Sequence, residues 1–145
     1  MNKIRIMLIL ASVGLSQVVV GAKLIVEEDP IRDKYVEAYV VALQPSVEAS
    51  YRQKFPDEHV GTIKLMAESS SRKVGSCSYE ALALYPAEYR EVVIASIIET
   101  KDLYRSADEV NMLIDFDMQS GKITKEAVAE MAQETKQLMT KCIGR

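Results

Sequence analysis

Acidic side chains are the most abundant groups that could carry chemistry in this sequence. It contains 21 Asp and Glu residues but a single histidine, His59. Two carboxylates can hydrolyse a glycosidic bond without a histidine when burial raises the pKa of one of them. The pairs Asp115 with Asp117 and Glu27 with Glu28 are close in sequence and polar in context. A small carboxylate-dependent hydrolase is therefore one hypothesis, but the sequence favours a non-catalytic protein over an enzyme.

Residues 115–126 place several oxygen ligands at spacings found in calcium sites. Asp115, Asp117 and Glu126 occupy positions 1, 3 and 12 of a twelve-residue frame that also contains Gln119. The segment resembles an EF-hand loop, whose oxygens surround the ion between two helices. It departs from that pattern because Gly121 is at position 7 and not at position 6. The resemblance implies a calcium-binding helix-loop-helix module as an alternative function, and calcium is the only cofactor suggested. The competing interpretation is a polar turn between two helices.

Two shorter patterns carry less information. Ser70 and Lys73 have the S-x-x-K spacing of penicillin-recognising enzymes, but the chain lacks the K-T-G and S-D-N elements of those enzymes. His59 has no second histidine with which to complete a tetrahedral metal site. We expect His59 to lie at the surface near the start of a helix.

The first 22 residues have the three parts of a secretory leader. Met1–Arg5 carries two positive charges, Ile6–Val20 is rich in Ile, Leu and Val, and small residues follow up to Ala22. The apolar stretch is shorter than the roughly 20 residues that span a bilayer. We therefore expect a signal peptide at 1–22 and one helical domain at 23–145, exported to the periplasm or the extracellular space without a membrane span.

Charge and cysteine content agree with export. Removal of the leader takes away Lys3 and Arg5 and changes the net charge from −3 to −5. This acidic surplus argues against a nucleic-acid partner, because such binding depends on Lys and Arg. The two cysteines, Cys77 and Cys142, would meet an oxidising environment, which favours one intramolecular disulfide. The chain-entropy model gives such a bridge roughly 4 kcal/mol of stabilisation.

Apolar residues recur at helical spacing through the first half of the domain. A helix is predicted over 30–44, because Asp29 and Pro30 form a favourable start and Pro45 interrupts the pattern. Residues 46–55 then form a second short helix or a bent extension. The next predicted helix begins after Asp57, carries the first cysteine on its apolar stripe and weakens near residues 73–76. A short helix over 78–85 follows.

The segment Val92–Ile98 is apolar on nearly all sides, which is typical of a central, buried element. Its β-branched residues would also suit a buried strand. We prefer a helix that begins at Pro86 and ends near Tyr104, because no second strand with clear alternation is available to pair with it.

The last two predicted helices have clearer starts. Ser106 and Glu109 form a capping box, and Thr124 can cap the final helix after a turn at Gly121. The final helix has the cleanest apolar stripe of the chain and reaches Cys142. The expected fold is an all-α, single-domain bundle of about five to six helices, closed by the disulfide between its two cysteines.

Tyrosines are the best candidates for partner contacts, because each combines a large apolar face with a polar tip. The competing interpretation places most of them at the edge of the core. The methionines, Met112 among them, are interpreted as core filling. The candidate partner-binding residues are Tyr35, Tyr39, Tyr79, Tyr85 and Tyr89.

Compartment and fold class together favour a binding protein. A small, acidic, disulfide-closed helical domain suits an inhibitor, an immunity protein, or a chaperone or accessory subunit. The expected partner is another protein. The sequence does not indicate which protein, nor the oligomeric state.

Overall fold

The structure is a computed structural model that describes residues 29–144, and all regular elements in this range are helical. The predicted signal peptide and the lead-in up to residue 28 lie outside the described residues. The predicted all-α, single-domain bundle is confirmed for the described range. None of these helices has both the length and the apolar character required to cross a bilayer. The elements are α1 Pro30–Lys54, α2 Val60–Ala81, a 3-10 helix Leu82–Leu84, α3 Ala87–Thr100, α4 Leu103–Gln119 and α5 Lys125–Ile143.

The predicted disulfide is also confirmed. Cys77 of α2 and Cys142 of α5 are joined by an S–S bond of 2.02 Å, with their Cα atoms 5.8 Å apart. The two cysteines are 65 positions apart in the chain. The bridge therefore connects the last helix to the C-terminal part of α2.

Helix α1 begins as predicted but continues through Pro45. The Asp29 carboxylate accepts hydrogen bonds from the backbone N–H groups of Ile31 and Arg32, at 3.1 and 3.0 Å. The predicted end of the helix at residue 44 is wrong, and of the two alternatives for residues 46–55 the extension of the same helix is the one found. A proline inside a helix leaves the carbonyl four residues earlier without its donor. That residue, Val41, is exposed, so water can satisfy its carbonyl.

Helix α2 is continuous, so the predicted weakening near residues 73–76 does not break it. Gly75 is buried against α1, and a Cβ at this position would lie only 3.2 Å from the Cβ of Tyr39. The glycine thus permits the close approach of α1 and α2, and packing offsets its low helix propensity. The predicted short helix over 78–85 is divided. Residues 78–81 form the last turn of α2, and the 3-10 helix follows them.

The boundary between α3 and α4 also differs from the prediction. Helix α3 ends at Thr100, because Lys101 adopts a left-handed conformation with φ 53°. The Asp102 carboxylate caps α4 by accepting from two backbone N–H groups, both at 3.0 Å. The predicted capping box is wrong, since Ser106 lies inside α4 and its hydroxyl donates to the Val93 carbonyl at 3.4 Å. Asp102, four residues earlier, provides the cap.

The hydrophobic core is centred on α1 and not on α3. Residues 92–98 are helical, as predicted, but only Ser96 and Ile97 of this segment are buried. The remainder is half-buried, apart from Ala95, which is exposed. The predicted central position of this segment is therefore wrong. The buried core cluster consists of Tyr35, Val36, Ala38, Val40, Leu82 and Ile97.

Helix α5 lies at the periphery. Thr124 caps it as predicted, with its hydroxyl oxygen accepting from the Ala127 N–H at 3.2 Å. Gly121 adopts a φ of 75° in the preceding turn, which agrees with its predicted role. No residue of α5 is buried, although its apolar stripe packs against α2 and the 3-10 helix. Helix α4, in contrast, packs against α3 and α1.

Candidate functional site

A cleft lies between α4 and α5, which pack against different parts of the bundle. Its volume is about 320 Å³. Helices α1, α2 and α3 and the 3-10 helix provide the floor, and α4 and α5 provide the two walls. The apolar lining includes Leu82, Val93, Ile97, Val110, Ile114 and Met139. We refer to this space as the α4–α5 cleft.

Hydroxyl groups provide most of the polar lining of the cleft. Tyr35 and Ser78 are hydrogen-bonded to each other across 2.9 Å. Burial raises the pKa of Tyr35 well above its ordinary value, so its hydroxyl stays protonated. Nearer α5, the Thr135 hydroxyl donates to the Tyr85 oxygen at 3.3 Å. In the part of the chain that the structure describes, no acidic or basic side chain lines the cleft.

The predicted calcium ligands do not form a common site among the described residues. Asp115, Asp117 and Gln119 all lie in α4, where residues two apart point in nearly opposite directions. Asp115 and Gln119 are exposed, and Glu126 lies in the first turn of α5. Within residues 29–144 no group of three or more His, Cys, Asp or Glu side chains is arranged to hold a metal ion.

Asp117 instead belongs to a network that joins α3, α4 and the following turn. It is 3% exposed and accepts a 2.7 Å hydrogen bond from the hydroxyl of Tyr89. The Lys122 ammonium lies 3.1 Å from the same carboxylate oxygen and 2.8 Å from Glu88. The hydrogen bond from the Tyr89 hydroxyl is the main cause that holds the pKa of Asp117 below its ordinary value, and the charge of Lys122 acts in the same direction. Burial and Asp117 raise the pKa of Tyr89 to about 12.

The remaining candidates for chemistry have structural partners. His59 caps α2 through Nδ1, which accepts from the Gly61 N–H at 3.1 Å. The Ser70 hydroxyl is hydrogen-bonded to the Tyr51 hydroxyl at 2.7 Å, while Lys73 is exposed. The second acidic pair, at residues 27 and 28, lies outside the described residues.

The five tyrosines proposed for partner contacts are not gathered on one exposed surface. Tyr35 and Tyr89 are buried, so neither can meet a macromolecule at the surface of this fold. The Tyr79 hydroxyl donates to the Asp29 carboxylate at 2.9 Å and connects α2 to the start of α1. Tyr39 and Tyr85 are half-buried and line the α4–α5 cleft together with Tyr35.

The outer face of α4 carries large apolar side chains that the sequence interpretation did not place. Tyr104, Met112 and Phe116 are 88%, 65% and 66% exposed. The interpretation of Met112 as core filling is wrong, because Val110 and Ile114 occupy the opposite, inward side of α4. The signal was present for Met112 and Phe116, which lie one helical turn apart, whereas Tyr104 lies nearer the N-terminal end of the same helix. We refer to these three side chains as the α4 outer face.

Comparisons with protein-family models, with curated proteins and with solved structures found no match.

Proposed function

We propose that this chain is an exported, non-catalytic binding protein that contacts another protein through the α4 outer face. The observation that carries this proposal is the exposure of Tyr104, Met112 and Phe116 on the solvent-facing half of a single helix. Exposed apolar side chains that occur singly need no explanation, but a group on one surface is typical of an interaction site. Aromatic residues and methionine are also enriched at protein interfaces.

The charges around this face indicate the chemistry of the partner. Asp108 and Asp115 are exposed beside the apolar side chains. Arg105 and Glu109 form an ion pair at 3.0 Å, so they neutralise each other. The surroundings of the face are therefore acidic, and a complementary partner would present apolar residues flanked by Lys or Arg.

The proposed role agrees with the disulfide and with the predicted leader. A bridge that persists in an oxidising compartment supports export, because cytosolic thiols are kept reduced. An inhibitor, an immunity protein and an accessory subunit all act by binding alone. The exposed apolar side chains of α4 support this class.

Site-specific photo-crosslinking tests the proposal. The full-length chain, expressed in its native host, carries a photoreactive phenylalanine analogue at position 112 or, as a matched control, at position 65. Leu65 is 69% exposed on α2, so it resembles Met112 in size and exposure. We expect one protein adduct from position 112 that Phe116→Ser reduces several-fold and that weakens as salt screens the acidic surroundings. Equal adducts from both positions, or none from position 112, would contradict the proposal.

A further inference from the structure

We propose that the α4–α5 cleft is a second binding site, which takes up a small, uncharged and mainly apolar molecule with a hydrogen-bond acceptor at one end. This inference is independent of the proposed function, because the cleft faces inward and the α4 outer face points to solvent. It assigns a ligand class to a cleft that is not part of the proposed protein contact.

The volume of the cleft sets the size of the ligand. A cavity of roughly 150 Å³ lined by apolar side chains accommodates benzene. The cleft is about 320 Å³, roughly twice that volume, and lies at the lower end of the usual range for ligand pockets. A molecule with on the order of ten to fifteen non-hydrogen atoms would fill it.

The lining excludes a charged ligand. Aliphatic side chains dominate it, and within residues 29–144 no Asp, Glu, Lys, Arg or His side chain lines it to pair with a charged group. An ion would lose its hydration on entry without a compensating partner, and that loss costs far more than the transfer of a neutral group. The ligand is therefore neutral.

The Tyr85 hydroxyl is the group that would orient the ligand. Its oxygen accepts the hydrogen bond from Thr135, and among the described residues its own proton has no acceptor. A ligand that fills the cleft would take this donor out of water, and a donor left unpaired in that state costs free energy. Of the other polar groups of the lining, the Tyr35 hydroxyl is already paired with Ser78, and Tyr39 lies beside the same serine. Asn111 is exposed to water. The acceptor of the ligand is thus expected beside Tyr85.

The walls of the cleft are fixed independently, which explains why the space does not close. Helix α4 is held against α3, whereas α5 is held against α2 and linked to it through Cys142. Closing the gap would require one of these contacts to separate. A pre-formed, mostly apolar pocket with a few polar groups is the usual form of a small-molecule site.

Titration of the oxidised protein with three matched probes tests this inference. 1-Naphthol is neutral and has one hydroxyl, naphthalene lacks the hydroxyl, and 1-naphthoate is an anion. We expect 1-naphthol to bind at one saturable site and 1-naphthoate to bind at least tenfold more weakly. Tyr85→Phe should weaken 1-naphthol about fivefold and leave naphthalene unchanged, as expected for one hydrogen bond.

Cleft-filling variants locate the bound probe. Val110→Phe places a larger side chain on the cleft wall and should abolish binding of 1-naphthol. Val41→Phe, on an exposed part of α1, adds the same side chain away from the cleft and should have no effect. If Val110→Phe does not fold, the Tyr85→Phe comparison decides the result.

Three outcomes would overturn the inference. The first is that neither 1-naphthol nor naphthalene shows saturable binding. The second is that 1-naphthoate binds with the same affinity as 1-naphthol. The third is that neither Tyr85→Phe nor a folded Val110→Phe alters the binding of 1-naphthol. Phe116→Ser distinguishes this site from the proposed protein contact. A loss of 1-naphthol binding in Phe116→Ser would place the probe on the α4 outer face and would equally refute the cleft as its site.

Discussion

Helices α1 and α5 are stabilised in different ways. Helix α1 contributes four buried residues and packs along α2, with hydrogen bonds from Tyr35 and Tyr51 to serines of that helix. Helix α5 has a clean apolar stripe but no buried residue, and a disulfide connects it to α2. The comparison shows that a strong amphipathic pattern predicts a helix but does not predict how deeply it is buried.

Reduction of the disulfide should give the largest difference between the two regions. Loss of the bridge is expected to lower the free energy of unfolding by roughly 4 kcal/mol, according to the chain-entropy model. Because no residue of α5 is buried, its amide protons should exchange much faster after reduction than those of α1 and α2. Urea unfolding and hydrogen exchange, with and without reductant, measure both effects. Equal acceleration in all helices would show that α5 is not a separate unit.

A matched pair of valine truncations should give a smaller difference. Val36 is buried in α1, whereas Val128 is half-buried in α5. Val36→Ala is expected to cost about 2 kcal/mol of stability, since it removes two methyl groups and leaves a cavity. Val128→Ala should cost less than about 1 kcal/mol, because part of that side chain already contacts water. Thermal or urea unfolding tests this, and equal losses would contradict the peripheral placement of α5.

The smallest expected effect concerns the Asp117 network, which holds α3 and the end of α4 independently of the disulfide. The pKa of Asp117 is lowered in the folded protein, so its ionised form stabilises the fold above the ordinary aspartate pKa of 3.8. This contribution is lost as the pH falls below that value towards the folded-state pKa. Asp117→Asn should therefore show a shallower loss of stability below pH 4 than the unchanged protein, in urea titrations at several pH values.

Asp115→Asn provides the control for the pH experiment, because this neighbour is exposed. Its unfolding should retain the pH dependence of the unchanged protein. If both variants lost the same amount of pH dependence, the effect would be due to overall charge and not to the contacts of Asp117 with Tyr89 and Lys122.

Local signals predicted much of the fold. The caps at Asp29 and Thr124 and the turn at Gly121 were readable because each depends on only a few neighbouring residues. The disulfide was readable because only two cysteines are present. The errors occurred where tertiary packing decided the outcome. Pro45 is tolerated at an exposed position, and Gly75 is favoured by the approach of α1.

The candidate sites were much less accessible to prediction. The tyrosines were recognised as unusual, but their spacing could not show that Tyr35, Tyr39 and Tyr85 meet in one cleft. That meeting depends on the separation between α4 and α5, which only the packing of the bundle determines. The α4 outer face was readable in principle, since Met112 and Phe116 lie one turn apart.

Gly75 of α2 lies against a side chain of α1 that also lines the α4–α5 cleft. The glycine touches the Tyr39 side chain, and the same side chain lines the α4–α5 cleft. A larger residue at position 75 would push the Tyr39 side chain towards the α4–α5 cleft and reduce its volume. The volume of residue 75, which is not part of the cleft lining, therefore limits the position that Tyr39 can take within that lining.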